Sequence, residues 1–535
     1  MTEADKNSND ASLSRRPALG PTAGAAAHAV SGQAAARGAN DIVLMDATAL
    51  GTAIHSRKVS CAEVMTAYLD HIEQLNSRVN AIVALQDRDS LMALARERDS
   101  QLVRGESMGP LHGFPHAVKD LQAVKGIKTT MGSPILRDFV PAVDGLTAER
   151  LRAAGAIFIG KTNTSEFGLG SHTYNPVYGV TRNAYDTRRS AGGSSGGAAV
   201  SLALRMLPVA DGSDFGGSLR NPAGWNNVFG FRTSIGRVPH EGRDAWLPSM
   251  SVTGPMARNV ADLAMLLSVQ AGFDPRVPLS LDGDGSEFQR RLERNFHGTR
   301  IAWGGDFKGH TPCEPAVLDV CRTAVKTFES LGCIVEEAMP DFDLEAVWES
   351  VKRLRGWQSG GALLDYYNDP AMRALLKPEA IFEIETGLEQ SAFDITAASV
   401  VRTEWSYAVN RFFERYDFFV VPTAQLFPFD AGEHWPKQIA GRQMQTYHEW
   451  MKATLLVTMS GCPALAAPAG FSIEGLPMGI QIIGPNRGEF SCLQLACAYE
   501  SAIDLAKRLP TLLSHTDETN VTPGDSGGTY DGLHT

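Results

Sequence analysis

"AGGSSGGAAVSLALRMLPVADGSDFGGSLRNPAG", Ala191 to Gly224, lays out the order of the central elements of the chain. Glycine and serine are concentrated at two places, around Ser194 and before Ser218. Between them, "GAAVSLALRM" has the texture of a buried helix and "LPVAD" that of a short strand. The order is therefore loop, helix, strand, loop, which returns the chain to the sheet edge it left. Both serine loops then lie at one edge. Consecutive glycines before Ser218 let backbone N–H groups converge on a small anion, the device acyl transfer needs for its oxyanion. Neither serine has a histidine close by in sequence, so a base must come from elsewhere.

The same alternation runs outward in both directions. Upstream, "SCAEVMTAYLDHIEQL" from Ser60 is a helix with a Ser60/Glu63 capping box, and "DSLMALARERDSQLV" is a second helix. "FPHAVKD" and "AIFIGKT" are short apolar runs flanking the helical "TAERLRAAG". Downstream, "AASVVRTEWSYAVNRFFERY" is helical, "FFVVPTA", "CPALAAPAGF" and "PMGIQIIGP" are buried strands, and "SCLQLACAYESAIDLAKRL" closes the chain as a helix. The uncharged run Ala453 to Ile473 approaches membrane-spanning length, but its glycines and prolines make it a buried strand-and-turn segment. The expected fold is α/β: a single large α/β/α layered domain with a mixed, mostly buried central sheet covered by helices. Its expected span is residues 42–510, with a variable, substrate-shaping region over about 280–450. Residues 1–41 and 511–535 are expected to be disordered tails.

Composition narrows the function classes. The 535 residues are 43% hydrophobic and 20% charged, enough for a large core. A net charge of -11 and the lack of a long Lys/Arg run argue against a nucleic-acid partner. Seven cysteines, none spaced Cys-x-x-Cys, read as reduced thiols of a cytoplasmic protein. "SRRPAL" is a broken version of a twin-arginine signal, and no membrane association is expected.

Three motifs resemble sites of other kinds. "GAIFIGKT" matches the P-loop pattern, yet its four intervening residues are an apolar, β-branched run that forms the strand itself. His112 and His116 have the spacing of a helical zinc pair, but Gly113 and Pro115 between them forbid the helix, so no metal is expected. "GGSSG" satisfies G-x-S-x-G with Ser194 at its centre, the nucleophile elbow of α/β-hydrolases. That elbow needs an entering strand, and "NAYDTRRSA" is polar. An elbow hydrolase with Ser194 as nucleophile stays as an alternative.

The block "GGSSGGAAVSLALRMLPVADGSDFGGSLRNPAGWNNVFGFRTSIGRVP" resembles the defining segment of the amidase signature family. "LHGFPHAVKDLQAVKGIKTTMGS" resembles the upstream segment that supplies that family's lysine, and "PALAAPAGFSIEGLPMGIQIIGP" its C-terminal strands. The resemblance runs from about residue 42 to 508. It implies an amide hydrolase with a Ser-cisSer-Lys triad: Ser218 as nucleophile, Ser194 as proton relay after a cis peptide, and Lys119 as general base. Phe215, Gly216, Gly217 and Ser218 would form the oxyanion hole. Ser195 would be a hydrogen-bonding partner behind the triad, with Asp214 and Arg220 as scaffolding charges. A lysine accepts a proton only when neutral, so Lys119 must be desolvated, which the apolar flank "HAV" allows.

The same resemblance implies no cofactor and a small-molecule amide substrate, and it admits a homodimer. Asn221 and Trp225 depart from the pattern of the amidotransferase branch, whose A-type subunit of a glutamyl-tRNA amidotransferase is the alternative identity. The variable region holds Trp348, Trp357, Tyr366, Tyr367, Trp405, Trp435 and Trp450. They tilt the expectation toward an aryl or bulky apolar amide, with esterase or carbamate side activity. Met131, His172, Tyr174 and Trp225, which flank the matched loops, are the expected pocket residues.

Overall fold

In the computed structural model, which describes residues 39–514 apart from Arg243, Pro248 and Ser249, the apolar runs resolve into two main sheets. The smaller contains β1 (Ile82–Val83), β2 (Pro115–Lys119) and β3 (Ile157–Thr162) in the order β1-β3-β2. β2 and β3 run parallel, joined through the helix Leu146–Ala153, and Lys119 pairs with Thr162. Every residue of β2 and β3 is buried, as expected of strands covered on both faces.

The larger sheet is built from β4 (Ala210–Asp214), β5 (Phe229–Arg232), β6 (Val252–Ala257), β7 (Arg300–Trp303), β8 (Ile334–Glu337) and β9 (Phe418–Pro422). After a separate two-residue hairpin, β10 (Gln438–Ile439) with β11 (Arg442–Gln443), it gains β12 (Ala464–Phe471) and β13 (Pro477–Ile483). Its order is β4-β6-β5-β12-β13-β9-β7-β8. β7 runs parallel to β8 and β9, and the other pairs are antiparallel, so the sheet is mixed as expected. β4 is an edge strand, and it faces β2 of the smaller sheet. The described residues belong to one compact unit.

Helices cover both sheets. Cys61–Val79 carries the expected capping box: Ser60 Oγ accepts from the Glu63 amide at 3.1 Å, and the Ser60 amide donates to Glu63 Oε2 at 2.8 Å. Its apolar stripe, Val64, Tyr68, Ile72 and Leu75, is buried in the core around the smaller sheet. A second core lies along the larger sheet and takes in Trp225, Trp348, Trp405 and Trp450.

One expectation is corrected. Ala453 to Ile473 is a helix, Lys452–Ser460, followed by a left-handed Gly461 (φ 75°) and then β12. A helix buried on all sides shows no polar face, so its periodicity is invisible in sequence. The described structure also begins with a helix, Ala39–Leu44, and ends with a one-turn helix, Thr511–Ser514, whose Leu512 is buried. The remainder of both expected tails lies outside the described residues. No helix among those described is long and apolar enough to cross a membrane.

Candidate active site

The loop, helix, strand, loop order read from Ala191 to Gly224 is the one the chain adopts. The helix is Gly196–Ala203, the strand is β4, and a second short helix, Arg220–Trp225, follows Ser218. Ser194 and Ser195 immediately precede the first helix, and the Ser195 amide donates to Ser218 O at 3.3 Å, tying the two serine loops together. The peptide bond Gly193–Ser194 is cis. No strand enters this loop, so the geometry of a nucleophile elbow is not built here.

Lys119, the last residue of β2, reaches into the gap between the loops. Its Nζ donates to Ser194 Oγ and Ser195 Oγ, each at 2.8 Å, to Ser213 Oγ at 3.0 Å and to Ser213 O at 3.3 Å. Each of these acceptors is neutral. Burial therefore dominates, and it pulls the lysine down to about 7, against the opposing pull of Asp211 and Asp214. β2 is held against β4 by Asp211, whose carboxylate accepts from the Lys119 amide at 3.2 and 3.3 Å and from His116 Nε2 at 2.9 Å.

Asp214 sits under the second serine loop. Its carboxylate takes the Gly217 amide at 2.9 Å and the Leu219 amide at 3.0 Å. It also takes Arg220 through Nε and Nη2 at 2.9 Å each, and Arg232 at 3.3 Å. Burial would raise this acid, but the two guanidiniums hold it well below the usual carboxylate range. Arg220 is held in turn by Thr454 O, Thr458 Oγ1 and Gln481 Oε1. Asp214 and Arg220 thus hold the loop from behind. Gly217 has φ 115°, and a Cβ there would stand 2.6 Å from Thr454 Oγ1, so only glycine fits.

The expected oxyanion hole needs one correction. The Gly217 amide is consumed by Asp214, whereas the amides of Phe215, Gly216 and Ser218 meet no acceptor among the described residues. The carbonyls of Phe215 and Gly216 are turned away, accepting from Thr458 Oγ1 and Thr454 Oγ1 at 2.7 Å each.

Ser194, Ser213, Phe215 and Ser218 open onto a cavity of about 470 Å³. Of the expected pocket residues Met131 lines it, while His172, Tyr174 and Trp225 do not. His172 lies between Ser190 Oγ and Ala431 O, Tyr174 donates to Glu379, and Trp225 stacks on Trp450 inside the core. These three flank the matched loops in sequence, but the loops turn their neighbours inward. Of the seven aromatics noted in the variable region, Tyr366 alone lines this cavity.

The wall that sequence reasoning missed is one face of the helix Leu344–Asn368: Arg355, Gln358, Ser359, Ala362, Leu363 and Tyr366. Their spacing of three and four residues is a helical stripe, a signal present in the sequence. Leu121, Phe167 and Leu169 complete an apolar side. Arg355 lies 4.7 Å from the Phe215 ring and is fixed by Glu383 Oε1 at 2.6 Å and Tyr447 OH at 3.2 Å.

The lysine and histidines of the look-alike motifs have protein partners. Lys161 lies inside strand β3, and its Nζ donates to Gln122 O and, at 3.3 Å, to Thr129 Oγ1. His112 Nε2 meets Arg98 O at 3.0 Å, while His116 meets Asp211, so the two imidazoles have separate partners.

Against this geometry, comparison with known proteins gives a consistent result. The family model "Amidase" matches residues 63–493. The A-type subunit of the glutamyl-tRNA(Gln) amidotransferase of Moorella thermoacetica is 33% identical, over 88% of this chain and 99% of that protein. An acylamidase of Rhodococcus erythropolis is 32% identical, over 87% and 97%. The crystal structure of a bacterial aryl acylamidase of the amidase signature family superposes with a TM-score of 0.81 at 29% identity, covering 87% of this chain and 98% of that one. The chain therefore belongs to the amidase signature family, whose members act on the C–N bond of amides.

Proposed function

We propose that this protein hydrolyses carboxylic amides through an acyl-enzyme on Ser218, with Ser194 as proton relay and Lys119 as general base. The observation that carries this reading is the Lys119 amine: buried, surrounded by hydroxyls, drawn down to about 7, and 2.8 Å from a Ser194 that shares a cavity with Ser218. In its neutral form Lys119 takes the Ser194 proton while Ser194 takes that of Ser218, and Ser218 Oγ attacks the carbonyl carbon. The amides of Phe215, Gly216 and Ser218 receive the oxyanion. As the C–N bond breaks, Ser194 returns a proton to the leaving nitrogen and regains one from Lys119. Water then enters by the same relay and releases the acid.

The cavity supports an aryl or bulky apolar acyl or amine group, because Leu121, Met131, Phe167, Leu169, Leu363 and Tyr366 provide an apolar wall. Labelling with a fluorophosphonate tests the reading: the adduct is expected on Ser218 and should depend on Lys119. An adduct on Ser194 would overturn the assignment of Ser218 as nucleophile. Turnover of small aliphatic, aryl, peptide and carbamate substrates then ranks the substrate classes.

A second reading, the A-type subunit of a glutamyl-tRNA amidotransferase, is favoured by the match to 99% of the Moorella protein. It predicts stable co-purification with further chains. Amide turnover by the isolated protein, with no such partners recovered, decides for the stand-alone hydrolase.

A further inference from the structure

His116 is half of the false zinc pair, and the proposed reaction does not use it. Its surroundings give it a different task. β2 and β4 are edge strands of different sheets. At their junction Asp211 accepts from the His116 imidazole at 2.9 Å and from the Lys119 amide at 3.2 and 3.3 Å. His116 and Asp211 have no exposed side-chain surface. An irregularity in the β2–β3 pairing falls between His116 and Ala117, inside the span that the carboxylate bridges.

Asp211 differs from its neighbour Asp214 in one decisive respect. Asp214 is neutralised by Arg220 and Arg232, whereas Asp211 receives no arginine or lysine side chain among the described residues. Its charge therefore acts on the buried lysines, on Lys119 and also on Lys161.

We propose that His116 and Asp211 form a positioning pair for Lys119, in which the carboxylate anchors the end of β2 against β4 and sets the proton affinity of the amine, while the imidazole holds the carboxylate. This rests on the reading of Lys119 as the base. The charged and titratable groups around that amine are Asp211 and Asp214 on β4 and His116 on β2. Asp120 and Lys161 lie beyond, occupied with Thr130 and Gln122 respectively. Of these, Asp211 and then Asp214 raise the affinity that burial lowers. Removing the Asp211 charge must lower it further, and removing the imidazole that tempers that charge must raise it.

The test reads the rate of fluorophosphonate adduct formation on Ser218 against pH, so it needs no natural substrate. In Asp211→Asn the acid limb of the profile is expected to move down by about one pH unit, the size of effect a nearby opposite charge exerts. In His116→Leu the limb is expected to move up, and His116→Gln, which keeps a donor for Asp211, is expected to restore the wild-type position. A limb that stays in place in folded Asp211→Asn or His116→Leu overturns the proposal, even if the rate falls, because a purely structural pair would behave that way. If Asp211→Asn does not fold, the two His116 variants carry the test. Wild-type adduct formation that is indifferent to Lys119→Ala would sink the base reading itself. A Lys119-dependent adduct with an immobile limb sinks only this pair.

Discussion

Two buried lysines on neighbouring strands separate what burial does from what a site does. Lys119 ends β2 and Lys161 lies in β3, where it pairs with Val118. Both are fully buried, and burial lowers both, Lys119 to about 7 and Lys161 to about 8. The difference is in what each amine meets. Lys119 touches three serine hydroxyls, and two of those serines, Ser194 and Ser213, line the cavity. Lys161 is capped by the Gln122 carbonyl and Thr129, beside Asp120, and meets no serine of the site. A depressed lysine is common to both; contact with serine hydroxyls that open onto a cavity belongs to one.

Removing each amine in turn separates the two lysines most strongly. Lys119→Ala is expected to lower amide turnover by about 10³-fold, the scale of a general base, with the fold retained by circular dichroism. Lys161→Met is expected to keep turnover within about tenfold. Equal losses in the two variants would show that burial, and not the serine relay, accounts for Lys119.

The pH dependence sharpens it next. As the proposed base Lys119 acts when neutral, so kcat/KM should rise as pH climbs through about 7 and fall about tenfold per unit below that. A rate that is flat through the neutral range would remove Lys119 from the proton path. Stability carries the same signature. The folded chain disfavours the charged amine, so the unfolded chain binds more protons between about 7 and the ordinary lysine value of 10.5. The cost is complete below about 7 and fades as pH rises toward 10.5. The melting temperature of Lys119→Met relative to wild type should therefore gain most on the acid side of neutrality. A gain that does not change with pH would contradict the assignment.

Lys161→Met should instead register in stability. It leaves Asp120 without its facing cation and the Gln122 carbonyl without a donor, and about 1–3 kcal/mol is expected from urea unfolding. Smallest is the cavity wall. Leu363→Ala should raise KM for a bulky aryl amide by about tenfold, while a small aliphatic amide is unaffected. Equal effects on both substrates would take Leu363 out of the binding surface.

Much of the site is legible in the sequence where function rides on a contiguous block. The two serine loops, the helix and strand between them, and the strand nature of "AIFIGKT" all follow from local texture. The pocket does not. Its longest wall is a stripe on the helix Leu344–Asn368, and nothing local distinguishes a stripe that faces a cavity from one that faces core. Sequence adjacency places Trp225 at the pocket, and the turn of the helix Arg220–Trp225 buries it instead.

The glycines of "AGGSSGG" draw the final line. Sequence alone determined that a glycine-rich serine loop precedes a helix, and that a second such loop follows the next strand, because composition and period are local. Why the glycines are there is set by how the folded chain packs around them. Gly192 takes a positive φ of 72°. Gly193, Gly196 and Gly197 instead lack a Cβ because Thr173 and Asn163 press against them, with atoms 2.4 to 2.8 Å from where it would stand. The loop is held tight by close packing between segments far apart in the chain, and that packing sets Ser194 against Lys119.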